Sequence, residues 1–155
     1  MFKNYELVHK LMEKGWHITT AESCTGGMIS SAIVDVPDAS KVFDMAFVTY
    51  ADEAKSLLIA VNKLSIKQHG VVSEVVAKEM ATGAAKKARA EIAVATTGIA
   101  GPSGGTPDKP VGTVCFGFYV NGNVITKTMH FEGNREKVRT AATNFAFETL
   151  LELLN

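Results

Sequence analysis

The chain has 155 residues, of which 46% are apolar, and sixteen basic residues balance sixteen acidic ones, so its formal net charge is zero. This length predicts a single domain over residues 1–155 with one core. The balanced charge argues against direct nucleic-acid binding, and no apolar run approaches the roughly 18 residues of a membrane span. Two cysteines and a start without a leader pattern predict a cytoplasmic protein.

Helices and strands alternate in the first part of the chain. Apolar residues at helical spacing precede Gly15, and Pro37 marks the end of a second helical run. Between such runs lie short segments rich in β-branched and aromatic residues. The predicted elements are, in order, a helix before Gly15, a strand over 16–21, a helix over 28–36, a strand over 43–50 and a helix over 51–61.

The second part begins with a long helix that Ser73 is suited to cap. The almost wholly apolar segment "EIAVATT" then predicts a buried central strand. The loop 98–112 follows, with five glycines and three of the four prolines. After it, two strand-like runs flank "NGN" as a β-hairpin, and Asn134 is a candidate cap for the last helix.

This order of elements predicts an α/β fold, a three-layer α/β/α domain with a mixed, mostly parallel sheet and one β-hairpin. In such sheets the functional site lies beyond the carboxyl ends of the parallel strands. The segment "ESCTGG", Tyr50 and the loop 98–112 each follow a predicted strand. We therefore expect these three features to meet at one edge of the sheet.

The segment "TAESCTGG" contains two candidate nucleophiles, Ser23 and Cys24. At a strand-to-helix turn, Ser23 is placed to attack a carbonyl while the N–H groups near Thr25, Gly26 and Gly27 hold the oxyanion. The alternative is that Ser23 or Thr25 only caps the helix. Cys24 is the rival nucleophile, but the neighbour of an outward serine is expected to point into the core.

A serine nucleophile needs a base, and the four histidines are scattered along the chain. "TYADEAK" offers Lys55, about one turn into a helix, with Tyr50 at the end of a strand. Lysine acts as a base only if burial or a positive field lowers its pKa toward about 7 to 8. The alternative is a solvated lysine paired with Asp52 or Glu53. No cluster of His, Cys and Asp has the spacing of a metal site, so no metal is expected.

Two further features are candidates for ligand binding. The loop 98–112 predicts a rigid wall of a small-molecule pocket, with a tight structural loop as the alternative. Arg135 and Arg139, one turn apart at the start of the last helix, are suited to clamp an anion. Surface pairing with Glu132 or Glu136 is the alternative, and it is favoured for Arg139.

Five segments together resemble the CinA carboxy-terminal domain family in order and spacing, over nearly the whole chain. They are "TAESCTGG", "VTYADEAK", "HGVVSEVVAKEMATGA", "TTGIAGPSGGTPDKPVGTV" and "FEGNREKVR". The resemblance implies nicotinamide mononucleotide amidohydrolase activity in pyridine nucleotide salvage, without a cofactor. It implies a small-molecule nucleotide as substrate, and we also expect a homo-oligomer, most simply a dimer. The alternative is a catalytically silent module that binds a nucleotide or a partner in DNA uptake or repair.

The resemblance places the family's catalytic groups on Ser23, Tyr50 and Lys55, with Ser23 for attack and Cys24 for packing. Asp52 stands where relatives often have Asn, and its charge is expected to raise the pKa of Lys55. The expected substrate-binding residues are Thr25, Gly26, Gly27, Thr97, Gly98, Gly101 and Arg135.

Overall fold

A five-stranded mixed sheet forms the centre of the molecule in a computed structural model that describes residues 2–155. The strand order is β2-β1-β3-β4-β5. The strands are β1 (Ile18–Glu22), β2 (Phe47–Val48), β3 (Ile92–Gly98), β4 (Thr113–Val120) and β5 (Asn123–His130).

β1 lies between β2 and β3 and pairs with both in parallel. β4 is antiparallel to both β3 and β5, so in the described part of the chain it is the one strand that opposes the others. The hairpin turn uses positive φ at Asn121 and Gly122, which matches the twist of the flanking strands. The predicted fold class is confirmed.

Helices cover both faces of the sheet and enclose two main apolar clusters. On one face Leu11, Ile33 and Phe147 pack against Phe116 of the sheet. On the other face Ile59 and the long α5 pack against Ala21 and Ala95. The first face carries α1 (Asn4–Lys14), α2 (Met28–Val34) and α6 (Arg135–Leu153); the second carries α3 (Asp52–Ile59), α4 (Lys63–His69) and α5 (Glu74–Ala88).

α5 approaches the sheet closely because small residues line the contact. A Cβ added to Gly117 of β4 would overlap the carbonyl of Ala77 on α5. On the helix itself, a Cβ at Gly83 would overlap the carbonyl of Ile59. These contacts hold the start of α5 against β4 and the end of α3 against the middle of α5.

The two predicted N-caps agree with the structure, while two elements differ from expectation. Ser73 and Asn134 accept hydrogen bonds from the N–H groups of Val76 and Lys137, as N-caps do. The strand expected over 43–50 is reduced to β2, which sits at an edge and pairs only with β1. α4 was not predicted, because none of its residues is buried and its sequence shows no clear apolar stripe. No helix within residues 2–155 is long and apolar enough to cross a membrane.

Candidate active site

A cavity of about 340 Å³ opens at the carboxyl ends of β1, β2 and β3. Its volume lies within the range of about 300 to 1,000 Å³ that is usual for small-molecule sites. Four separate segments and the start of α6 contribute to it, and the order of elements predicts three of those segments; the fourth, with Val71 and Val72, precedes α5. The lining residues are Ser23, Cys24, Tyr50, Asp52, Lys55, Val71, Val72, Thr97, Gly98, Ile99, Ala100, Gly101, Ser103, Gly104 and Arg135.

Lys55 is fully buried, and its Nζ lies 3.1 Å from the Oγ of Ser23. Nζ also donates to the carbonyl oxygens of Thr49, at 2.7 Å, and Tyr50, at 3.2 Å. A neutral amine has two N–H donors and one lone pair. If the two carbonyls take the two N–H groups, the lone pair is directed at the hydroxyl of Ser23. This geometry is the one a general base requires.

The surroundings of Lys55 act on its pKa in opposite directions. Burial lowers the pKa of Lys55, while the carboxylate of Asp52 raises it; burial is the larger effect, so the pKa lies below its ordinary value. Within residues 2–155, no carboxylate oxygen lies within 4.0 Å of Nζ. The alternative of a solvated lysine paired with Asp52 or Glu53 is therefore wrong.

Cys24 is 5% exposed and belongs to the apolar cluster beneath the sheet, although it also borders the cavity. Burial raises the pKa of Cys24 to about 11, with a smaller contribution in the same direction from the charge of Glu22. The thiol is therefore protonated near neutral pH, whereas a nucleophilic cysteine needs its thiolate. The expected burial of Cys24 is confirmed.

The turn between β1 and α2 does not present its glycines to the cavity. The N–H of Gly26 donates to the carbonyl of Ser23 at 3.1 Å, and the N–H of Gly27 donates to Glu22 Oε1 at 3.2 Å. Thr25 is fully buried and donates its hydroxyl to the same carboxylate. None of Thr25, Gly26 and Gly27, the residues expected to contact the substrate or its oxyanion, borders the cavity, and the N–H groups of both glycines are already bonded.

Arg135 connects two walls of the cavity. Its guanidinium donates to the carbonyl of Gly101 at 2.8 Å and to the hydroxyl of Tyr50 at 3.1 Å. The structure thus brings together Tyr50, Gly101 and Arg135, which belong to three separate segments of the chain. The hydroxyl of Tyr50 contacts Arg135, whereas the main-chain carbonyl of Tyr50 contacts Lys55.

Arg139 has a different environment from the one expected. Its Nε donates to the carbonyl of Cys24 at 3.0 Å, and its second guanidinium nitrogen donates to the carbonyl of Thr25 at 3.1 Å. No carboxylate of the described chain lies within 4.0 Å of it. The predicted surface pairing with Glu132 or Glu136 is therefore wrong.

The end of β3 forms the floor of the cavity. Thr97 is 1% exposed, and its hydroxyl donates to the carbonyl of Val71 at 2.8 Å. This bond ties the loop before α5 to the sheet. Gly98 lies against β4, where an added Cβ would sit 2.8 Å from the carbonyl of Thr113. Both residues therefore shape the wall through close packing.

One charged residue near the nucleophile, Glu22, was not singled out as functional from the sequence. Glu22 is fully buried and accepts several hydrogen bonds from the turn, and Arg139 binds the same turn from the other side. A carboxylate directly after the β-rich segment "WHITTA" and shortly before a glycine pair is the signal that could have identified Glu22. Within residues 2–155, no histidine borders the cavity, and no group of three His, Cys, Asp or Glu residues is arranged to hold a metal ion.

The fold and the cavity define a CinA C-terminal domain. The model of that family matches residues 3–154, and the chain therefore belongs to it. Among its relatives is a nicotinamide-nucleotide amidohydrolase PncC from Enterobacter agglomerans, 48% identical over 94% of this chain and 90% of the relative. The protein of the same description from Escherichia coli strain K12 is 50% identical over 90% of this chain and 86% of its own. A crystal structure of a CinA-superfamily protein from Klebsiella pneumoniae superposes with a TM-score of 0.94 at 39% identity, over 97% of this chain and 94% of that one.

Proposed function

We propose that the chain is a nicotinamide-nucleotide amidohydrolase that converts the carboxamide of nicotinamide mononucleotide to a carboxylate, with Ser23 as the nucleophile. The observation that carries this proposal is the 3.1 Å contact between Ser23 Oγ and the buried Nζ of Lys55 inside the cavity. Relatives of the same description, 48% and 50% identical to this chain, support the substrate and the reaction.

Ser23 and Lys55 perform the chemistry in two half-reactions. Neutral Lys55 takes the proton of the Ser23 hydroxyl as the oxygen bonds to the carboxamide carbon. The carbon–nitrogen bond then breaks, and the nitrogen leaves as ammonia with the proton that Lys55 received. Water attacks the resulting ester, again giving a proton to Lys55. The bond between the carbon and Ser23 Oγ then breaks, and Lys55 returns its proton to Oγ, which regenerates the hydroxyl. The product loses its acid proton to solvent and leaves as a carboxylate.

The oxyanion needs N–H donors that the turn glycines do not supply. The main-chain N–H of Cys24 has no acceptor in the described chain, and neither have those of Ala100 and Gly101 on the facing wall. These residues border the same cavity as Ser23. We assign the oxyanion to the N–H of Cys24, because the residue after a serine nucleophile commonly has this role.

Arg135 is the group best placed for the phosphate of the nucleotide. Its guanidinium borders the cavity and has N–H groups beyond those that bind Gly101 and Tyr50. The wall over 98–104 would contact the ribose. Nζ of Lys55 already contacts Ser23 and two carbonyl oxygens, so we assign it no role in phosphate binding.

We expect purified protein to release ammonia from nicotinamide mononucleotide without added metal, and a chelator to leave the rate unchanged. The reason is that the proposed steps use only Ser23, Lys55 and main-chain donors. A coupled ammonia assay over mildly acidic to alkaline pH measures the activity. Absence of turnover throughout that range would favour a silent nucleotide-binding module, and loss of activity with chelator would contradict the metal-free steps.

The surface around β2 supports pairing of two copies. Leu57 and Leu64 are 81% and 60% exposed on the adjoining α3 and α4, and Val48 is half exposed on the edge strand itself. Clustered apolar side chains beside an open strand edge are typical of an interface. We expect a homodimer in a reducing, cytoplasmic setting, where both buried cysteines stay free. Sedimentation equilibrium checks the mass, and a monomer at micromolar concentration would contradict the pairing.

A further inference from the structure

The turn that carries Ser23 lies between two buried or half-buried charges of opposite sign. Glu22 is 0% exposed, and its carboxylate accepts hydrogen bonds from two hydroxyls and three N–H groups. The donors are Thr20 Oγ1, Thr25 Oγ1 and the main-chain N–H groups of Gly27, Ile29 and Ser30, at 2.8 to 3.2 Å. The carboxylate therefore binds the hydroxyl of Thr25 and the N–H of Gly27 in the turn, and two N–H groups in the first turn of α2.

Arg139 donates to two carbonyl oxygens of the same turn. It reaches from α6 to the carbonyl oxygens of Cys24 and Thr25, at 3.0 and 3.1 Å. Both bonds connect residues more than one hundred positions apart in the chain. The guanidinium has no carboxylate within 4.0 Å in residues 2–155, so the turn supplies its observed polar partners.

Because the peptide unit is planar, a hydrogen bond to its carbonyl also fixes the direction of its N–H. A carbonyl and the N–H of the same peptide point in opposite directions. Anchoring the carbonyl of Cys24 on Arg139 therefore fixes the plane of the peptide that follows Cys24. On the strand side, the N–H of Ser23 donates to the carbonyl of Thr96 at 3.0 Å, so the backbone of Ser23 is held from both flanks. The contact of Ser23 Oγ with Lys55 depends on this backbone position.

We infer that Arg139 is a positioning residue for the nucleophile: it holds the turn after Ser23 through two main-chain carbonyls and touches no reacting atom. The inference rests on the proposed function, in which Ser23 attacks the substrate. Arg135, one turn earlier on α6, faces the cavity instead. Of the two arginines on α6, Arg135 is therefore suited to bind substrate and Arg139 to position the nucleophile.

Replacing Arg139 with alanine is expected to lower kcat by about 10²-fold with little change in KM, because small displacements of reacting groups cost about that much in rate. Lys137→Ala on the same helix is the matched control, since its side chain is exposed, and it should retain the wild-type rate. Guanidinium ion added to Arg139→Ala should restore part of kcat by occupying the vacated space. It should not restore Ser23→Ala.

A second readout does not depend on the nucleotide. The rate at which an organophosphorus fluoridate labels Ser23, followed by mass spectrometry, should fall in Arg139→Ala and recover with guanidinium ion. If Arg139→Ala does not fold, Arg139→Lys retains the charge but cannot bind both carbonyls equally well, and it should show an intermediate loss of kcat. A thermal melt confirms that each variant compared is folded.

The outcomes separate this inference from the function on which it rests. A wild-type protein that labels at Ser23 but releases no ammonia overturns the proposed substrate, and the labelling rates still test Arg139. A wild-type serine that neither labels nor turns over overturns both. Normal kcat with raised KM in Arg139→Ala would make Arg139 an anion ligand, as the sequence first allowed, and would overturn the positioning role. Lower stability with normal kcat would also overturn it.

Discussion

Ser23→Ala is expected to abolish release of ammonia while nicotinamide mononucleotide still binds. The substitution removes the oxygen that forms the ester, and no other hydroxyl lies beside Lys55 Nζ in the described chain. The cavity walls formed by Arg135 and the loop 98–112 are unchanged by it. Turnover is measured by the ammonia assay and binding by calorimetry, so that loss of chemistry is distinguished from loss of affinity.

Cys24→Ala is the matched control for the neighbouring position. The thiol has a pKa of about 11 and is protonated at working pH, so its removal should keep most of the rate. Because Cys24 packs in the apolar cluster beneath the sheet, some loss of thermal stability is expected. An inactive Cys24→Ala beside an active Ser23→Ala would make the protein a cysteine amidase and refute the serine mechanism.

Lys55→Arg is expected to lower kcat by about 10² to 10⁴, the usual contribution of a general base. Arginine keeps the positive charge but stays protonated above about pH 12, so it cannot accept the proton of Ser23. If Lys55 only attracted the phosphate, the substitution would raise KM and leave kcat unaltered. Steady-state kinetics across pH distinguishes the two cases.

Lys67→Arg, at an exposed position of α4, is the matched control and should leave both kcat and KM unchanged. Since Lys55 is fully buried, a larger side chain there risks misfolding. Lys55→Met has similar length without a basic nitrogen, and it should show the same loss of kcat. A folded Lys55→Arg enzyme with near-normal kcat would exclude the lysine as base and leave Tyr50 as the remaining candidate.

The dependence of the rate on pH tests the role of Lys55 as base, and substitution of the neighbouring Asp52 should change it. The base is active when neutral, so the rate should rise with pH through the pKa of Lys55. Burial lowers the pKa of Lys55 and the carboxylate of Asp52 raises it. Asp52→Asn removes the raising effect, and the rising limb should therefore move to lower pH. Glu53→Gln, at the exposed neighbour, should leave the limb in place.

The sequence was sufficient to predict which segments meet at the site. Parallel strands have their carboxyl ends at one edge, so the residues after β1, β2 and β3 converge whatever their distance in the chain. Ser23, Tyr50, Lys55 and Gly101 border one cavity for this reason, together with Thr97 and Gly98 at the end of β3; Arg135 joins them from the start of α6. The N-caps at Ser73 and Asn134 were also predictable, because each depends on a hydrogen bond between residues only three positions apart.

The direction of individual side chains was not predictable in the same way. Whether Arg139 faces solvent or the turn after Ser23 depends on how α6 lies across the sheet, and periodicity does not contain that information. The donors available to an oxyanion depend on which N–H groups of the turn are already bonded, and Glu22 takes that of Gly27. α4 and the shortness of β2 were missed because both elements lie at the periphery, where burial imposes little pattern.

The bridge that Arg135 makes between Gly101 and Tyr50 has a consequence for how tightly a nucleotide is held. A free surface arginine loses rotational freedom when it grips a phosphate, and that loss opposes association. Here the two bonds have already confined the guanidinium, and several of its five N–H donors remain unused. The guanidinium of Arg135 is therefore already ordered before the phosphate binds. Much of the ordering entropy of binding is thereby transferred to the folding of the chain.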